Sequence, residues 1–288
     1  MHLMVWLQGS EGESPPASLW SSTQDQETLI QEISNFGSSM IHGSIEKASC
    51  SHHDVVDPKC VECGRIQRLV TTYQAHSHKQ SCFKKKKFMR IAANEGHGRY
   101  DGVYSEEEIV IPRCRYSFPK CPMDETTFIT AFPKDTPKEI VKSAKEDYGK
   151  VRRFLLRLTN RRHYQESAQW QHFLEMTFNE FLFAVGMFED EDKTFPENDE
   201  KKIKKARERY LTALRSEVKS TGYIALARTG KDVFINNFNK ALIDLHPANI
   251  DIQFICDEYA VAEYISGINQ STSCLKTNLI LFIFRLLH

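Results

Sequence analysis

The sequence predicts an α+β fold, on three observations. The opening run Met1–Leu7 and two short apolar stretches, 233–238 and 250–256, read as strands. A long central region, 137–220, carries apolar residues at helical spacing. Between them, residues 50–121 hold six of the eight Cys and little aliphatic material, so this segment cannot easily build a core by itself. At 288 residues, with 41% hydrophobic and 26% charged residues, the chain as a whole has enough apolar material for a sizeable core.

The elements follow in order. Gly9, Gly12, Pro15 and Pro16 make residues 8–25 a loop. Residues 26–36 predict a short helix with Leu29, Ile30, Ile33 and Phe36 near one face. Thr136, Pro137 and Glu139 form a helix start, and Val151, Phe154, Leu155 and Leu158 continue it. Phe173–Phe188 is apolar almost all round, which predicts burial. An acidic loop, Glu189–Glu200, leads to Lys201–Lys219, a surface helix with Ile203, Ala206, Tyr210 and Leu214 inward. A short helix is expected over 258–266.

Several function classes drop out. Lys+Arg and Asp+Glu both number 38, so attraction to nucleic acid or a membrane surface must be local. Thr229-Gly230-Lys231-Asp232 is not a phosphate loop, because Asp232 stands where a Ser or Thr would hold magnesium, so no ATP site is expected. No Gly-x-Ser-x-Gly, His-Glu-x-x-His or dinucleotide fingerprint appears, and nothing signals a small-molecule substrate. The first residues lack a cationic start and run into Glu11 and Glu13, unlike a secretory signal. The longest apolar run, Leu279–Phe284, is too short to span a membrane. An intracellular chain is expected, whose Cys are thiols or metal ligands before they are disulfides.

The Cys and His fall in three groups: Cys50, His52, His53, Cys60 and Cys63; His76, His78 and Cys82; and Cys114 with Cys121. Zinc takes four N/S ligands, supplied as close pairs from separate places in a chain. His76, His78, Cys82 and Cys114 are the predicted quartet, with Cys50, Cys60, Cys63 and Cys121 as alternates. A metal is most useful where a core is poorest. Beside this cluster stand Lys84, Lys85, Lys86 and Lys87, with Arg90, a set suited to phosphate contacts. The helical region 137–220 could instead serve as a protein-interaction domain.

Three separated stretches resemble one family, the Rep/helicase polyproteins of Helitron-type rolling-circle transposons. Gln74-Ala75-His76-Ser77-His78 through Cys82-Phe83-Lys84, then Cys114-Arg115-Tyr116-Ser117-Phe118-Pro119-Lys120-Cys121-Pro122-Met123, is similar to the family's Gln-x-His-x-His-x-x-x-Cys-x-Lys and Cys-Arg-Phe-x-Phe-Pro pattern. Phe234-Ile235-Asn236-Asn237-Phe238-Asn239 with Ala248-Asn249-Ile250-Asp251-Ile252-Gln253-Phe254 resembles a second block, and Asp257–Ile265 resembles the tyrosine segment after it. The resemblance covers roughly residues 1–270.

It implies an HUH nuclease region: an antiparallel sheet, incomplete here, with packed helices. A histidine pair would hold Mg²⁺ or Mn²⁺, and a tyrosine would attack a phosphate of single-stranded DNA. His2 matches the second histidine of that pair and Tyr264 the first of two tyrosines, while Ile268 stands where the second is expected. The resemblance therefore predicts a truncated, catalytically inactive fragment, nuclear if expressed. Its parts would be a nuclease-strand remnant (1–45), a zinc-type segment with a basic loop (46–125), a helical region (126–220), nuclease-like strands with the tyrosine helix (221–270) and an unrelated tail (271–288). A residual zinc-dependent nucleic-acid-binding module is the alternative function.

Overall fold

Polar residues interrupt the apolar runs of this chain at helical spacing for most of its length, and the helices they specify sort into two cores. The computed structural model describes residues 26–91, 109–159, 164–189, 194–218, 222–254 and 279–283. The expected strand at 1–7, the expected helix at 258–266, His2 and Tyr264 all lie outside the described residues.

The first core is helical. In α3, Lys138–Thr159, the buried residues Ala144, Asp147, Val151 and Leu155 recur every three to four positions. Helix α6, Glu200–Arg215, buries Ala206, Tyr210, Ala213 and Leu214 against it, with Asp199 capping its N-terminus. The stretch Phe173–Phe188 is buried as expected but is not continuous. Helix α4, Ala168–Glu175, ends as Met176 turns extended. Helix α5, Phe178–Ala184, restarts from a capping box in which Thr177 and Glu180 bond each other's backbone. That local reciprocity satisfies two orphan N–H groups and decides where the chain turns. Phe154, Phe173, Phe181 and Tyr210 then meet edge-on, with ring centroids 5.9–6.2 Å apart.

The second core joins elements distant in sequence. Phe36 of α1 (Gln26–Met40), Ile66 and Val70 of α2 (Val61–Tyr73), and Leu242 and Ile243 of α7 (Lys240–Leu245) surround Ile250 and Ile252 of strand β5 (Ile250–Phe254). Between the cores runs an antiparallel pair, β3 (Thr127–Thr130) with β4 (Gly222–Ala225). The pair sends Ile129 and Ala225 to the first core and Ile224 to the second. The Phe128 backbone N–H donates to Ser34 Oγ of α1 at 2.9 Å. A second antiparallel pair is β1 (Phe83–Ile91) with β2 (Ile109–Cys114). Strand β6, Leu279–Ile283, pairs in parallel with β5, so part of the tail predicted to be unrelated has a place beside the second core. The fold is thus mixed helix and strand with antiparallel pairing and packed helices, as expected. No helix among the described residues is long and apolar enough to cross a membrane.

One predicted strand is corrected. Residues 233–238 make only single bridges, Ile235 to Ala75 and Phe238 to His42. The reason is chemical. Asn236 and Asn237 send their side-chain amides to the Ile250 and Ile252 carbonyls, each at 2.9 Å. The Asn236 N–H donates to the Gln74 carbonyl and Phe238 exchanges backbone bonds with His42, so no one strand runs alongside.

The segment before it is pinned by Arg228, which is 5% exposed. Its guanidinium donates to the carbonyls of Gly43 (2.9 Å), Asp232 (3.3 Å) and Ile235, and to Asn237 Oδ1 (2.6 Å). Burial pulls its pKa down to about 10, and the Asp232 carboxylate opposes that fall. Gly43 is required for the approach, because a Cβ there would sit 2.7 Å from Arg228 Cζ. We predict that Gly43→Ala lowers the unfolding free energy by about 1–3 kcal/mol, and that Arg228→Leu, which leaves the Gly43 and Ile235 carbonyls and Asn237 Oδ1 without this donor, costs about 3–5 kcal/mol. Urea melts at constant m-value would read both.

A second ion pair carries a pH signature. Burial disfavours the charged form of Asp147, but the guanidinium of Arg209 (2.7 Å to Oδ1) and the Lys150 ammonium (2.9 Å) outweigh it, so its carboxyl is held below the ordinary value. A depressed folded value contributes stability that is present above the unfolded pKa and lost as pH falls through the folded one. Stability should therefore drop on acidification below about pH 4, and Asp147→Asn should flatten that part of a pH-dependent melting curve.

Candidate metal centres

The Cys/His segment folds into two separate groups, each with four ligand atoms within 4.8 Å of one another. The first contains Cys50, His53, Cys60 and Cys63; the second contains His76, His78, Cys82 and Cys114. They lie at opposite ends of α2, whose 13 residues span about 19 Å.

In the first group a turn brings the His53 N–H to the Cys50 carbonyl at 3.2 Å. His53 Nδ1 then lies 3.1 Å from Cys50 Sγ and 3.5 Å from Cys63 Sγ. Cys60 is the N-cap residue of α2 and Cys63 sits one turn on, buried, 3.6 Å from Cys50 Sγ. Cys60 Sγ closes the set at 3.9 Å from Cys50 Sγ. The other nitrogen of the His53 ring, Nε2, lies 3.7 Å from Asp57 Oδ2. A carboxylate behind a ligating imidazole fixes its tautomer and raises its basicity.

The second group closes the base of the β1–β2 hairpin. Cys82 directly precedes β1, Cys114 ends β2, and the two strands pair Phe83 with Cys114. The Arg115 N–H donates to the Cys82 carbonyl at 2.7 Å. His76 and His78 arrive from the chain after α2, and the His76 N–H is held by the Phe234 carbonyl at 2.7 Å. His76 Nε2 and His78 Nδ1 are 3.2 Å apart, His78 Nδ1 is 3.4 Å from Cys82 Sγ, and Cys114 Sγ is 3.7 Å from His76 Nε2. The His76 ring stacks on Phe118 at 4.2 Å and 7°, while His78 meets Phe234 edge-on. Phe118 is held by Arg152, which reaches from α3 to the carbonyls of Phe118 (3.4 Å) and Pro119. The Phe118–Pro119 peptide is cis.

A tetrahedral ion with ligand bonds of about 2.0–2.3 Å separates neighbouring N and S ligands by roughly 3.3–3.8 Å. The spacings of both groups fall around that range, so both are positioned to hold a metal ion. The thiols match. Burial works against a Cys114 thiolate, yet hydrogen bonds from His76 and His78 bring its pKa down to about 5. Burial likewise opposes a Cys63 thiolate, and bonds from the backbone of Cys50 and Asp57 and from neighbouring thiols lower it to about 7. Their partners Cys82 and Cys50 are pushed up, first by burial and then by these same neighbours.

Of the predicted ligands, the structure therefore brings His76, His78, Cys82 and Cys114 together. Cys50, Cys60 and Cys63, read from sequence as alternates to that quartet, form a group of their own with His53. The sequence carried a signal for His53 in its spacing, Cys-x-x-His before Cys-x-x-Cys, but His52 beside it made the choice ambiguous. Cys121 joins neither group. Its thiol is pushed up by burial and lies beside Arg152 and Tyr210. Lys84–Lys87 and Arg90 fall on β1, where the backbone is described and their side chains are not. The pairing passes from Phe83–Cys114 to Phe88–Pro112, leaving the four lysines opposite Arg113 alone.

The chain matches no protein-family profile, and no curated protein or solved structure is similar to it. The expected metal stoichiometry effect of Cys121→Ala is none, whereas Cys114→Ala should remove one equivalent of bound metal, measured by emission spectroscopy on desalted protein. Loss of metal in the Cys121 variant would overturn the ligand assignment.

Proposed function

We propose that the chain is a zinc-dependent module that binds single-stranded DNA through the β1–β2 hairpin, and that it derives from a Helitron-type protein. The observation that carries this reading is the position of the His76–His78–Cys82–Cys114 group at the root of a strand bearing Lys84–Lys87 and Arg90. A Cys₂His₂ donor set at tetrahedral spacing suits zinc. Arg113 and Arg115 flank Cys114 and are exposed, and Arg115 lies over the ring of the exposed Tyr116, 4.6 Å from its centroid. Basic residues around an accessible aromatic ring are what a single strand needs, since its phosphates take the charge and its bases stack. The Helitron assignment rests on the order of the motifs in the sequence.

Within this reading zinc is structural. It would tie the two ends of the hairpin to the chain after α2, and the lysines would do the binding. DNA nicking is not expected, because Ile268 stands in place of a second tyrosine.

The test is fluorescence anisotropy of the zinc-loaded chain with a single-stranded oligonucleotide across a salt series. The slope of log K against log salt should fall by roughly 0.7 for each lysine that neutralises a phosphate, so replacing Lys84–Lys87 with Ala should flatten it markedly. Chelation of zinc should weaken binding. A salt-independent affinity, or one untouched by the four substitutions, would remove the DNA reading. A Tyr264-dependent covalent adduct with Mn²⁺ present would overturn the expectation of inactivity.

A further inference from the structure

We propose that Cys50, His53, Cys60 and Cys63 form a second, independent zinc site whose role is to fasten α2 to α7, apart from any nucleic-acid surface. The donor set is Cys₃His, with all four corners supplied by the protein, and structural zinc sites are closed in this way. Sγ and Nδ1 atoms from two short pieces of chain, 50–53 and 60–63, converge to 3.1–3.9 Å. Asp57 stands behind the His53 ring, the arrangement that orients a ligating imidazole.

The surroundings tell what the site holds. Ser49, next to Cys50, donates to the His53 carbonyl and accepts from the Lys240 ammonium at 2.7 Å, so the ligand loop is fixed to the first residue of α7. At the other side, Arg65 of α2 pairs with Asp244 of α7. Cys63 and Cys50 are buried, and Ile66 and Val70 run on from Cys63 along the buried face of α2 into the second core. Residues 50–59 otherwise form a loop with few apolar side chains, the situation in which a metal supplies what a core cannot. The site is separate from the hairpin group, which draws its ligands from beyond the other end of α2.

The experiment uses the full chain and three readouts. Zinc content should be two per chain. Cys60→Ser, at the least buried of these thiols, should reduce it by one and leave the salt slope of DNA binding unchanged, because no phosphate contact is lost. Cys82→Ser should remove the other zinc and weaken DNA binding. Independently of any variant, alkylation of the wild-type chain mapped by mass spectrometry should show Cys50, Cys60 and Cys63 gaining reactivity together when zinc is withdrawn. One zinc per chain, lost in Cys82→Ser and kept in Cys60→Ser, would overturn this site and leave the hairpin reading intact. Two zinc ions with no DNA binding would support this site and remove the proposed function.

Discussion

A buried guanidinium is the constraint on which the arrangement of the two cores depends. Arg228 follows β4, its backbone bridges Met123 of the first core in both directions at 2.8 and 3.0 Å, and its side chain gathers carbonyls from the second. A charge taken out of water is costly unless every donor is used. Here the fork spans loops 43, 232 and 235 at once, and a lysine ammonium, compact and unforked, could not reach them together. Asp232 adds the complementary half. Its carboxylate accepts from the Ile45 N–H at 2.8 Å and from the Thr229 hydroxyl and N–H, so the turn that carries Arg228 is tied back to the chain before the first metal group.

From this hub a set of amides extends toward the hairpin group. Gln74 ends α2 with its side chain on the Ala248 carbonyl, Asn236 and Asn237 hold β5, and Asn239 caps α7 while reaching the Met40 carbonyl. His76 follows Gln74 by two residues and is seated on the Phe234 carbonyl. The chain that brings the histidines to the hairpin group is therefore anchored by a polar framework, and Arg152 and Phe118 set the remaining wall. Several residues that carried the family resemblance, Gln74, Asn236, Asn237 and Asn239, are framework groups in this sense, because each bonds backbone that no strand partner serves.

The helices were legible because their periodicity is strong. Ala206, Tyr210 and Leu214 are buried as their spacing requires, and the Thr136–Pro137 start agrees with a helix from Lys138. The turn at Met176–Thr177 was hidden by apolar residues on both sides, although Thr177-x-x-Glu180 was there to be read. Strands β3 and β4 were not legible. Each has only four residues, and their partners lie about a hundred positions apart. One set of metal ligands was legible, the quartet in which Cys114 crosses a hairpin to meet His76; the second was not, because Cys50, Cys60 and Cys63 were read as alternates to the first and His53, beside His52, was given no place in it.

That crossing frees the chain between the two cysteines. Cys82 and Cys114 fix the ends of the hairpin, and nothing in the ligand group reads the length of what lies between them. Closing a loop costs only about 0.6 kcal/mol more for each doubling of its length. The arm can therefore grow, shrink or exchange its charged residues by insertion and deletion while the root keeps its geometry. The register shift opposite Arg113, where extra residues are already accommodated in one strand, is such an insertion in form. A hairpin built this way can change its length without redesigning the part that folds.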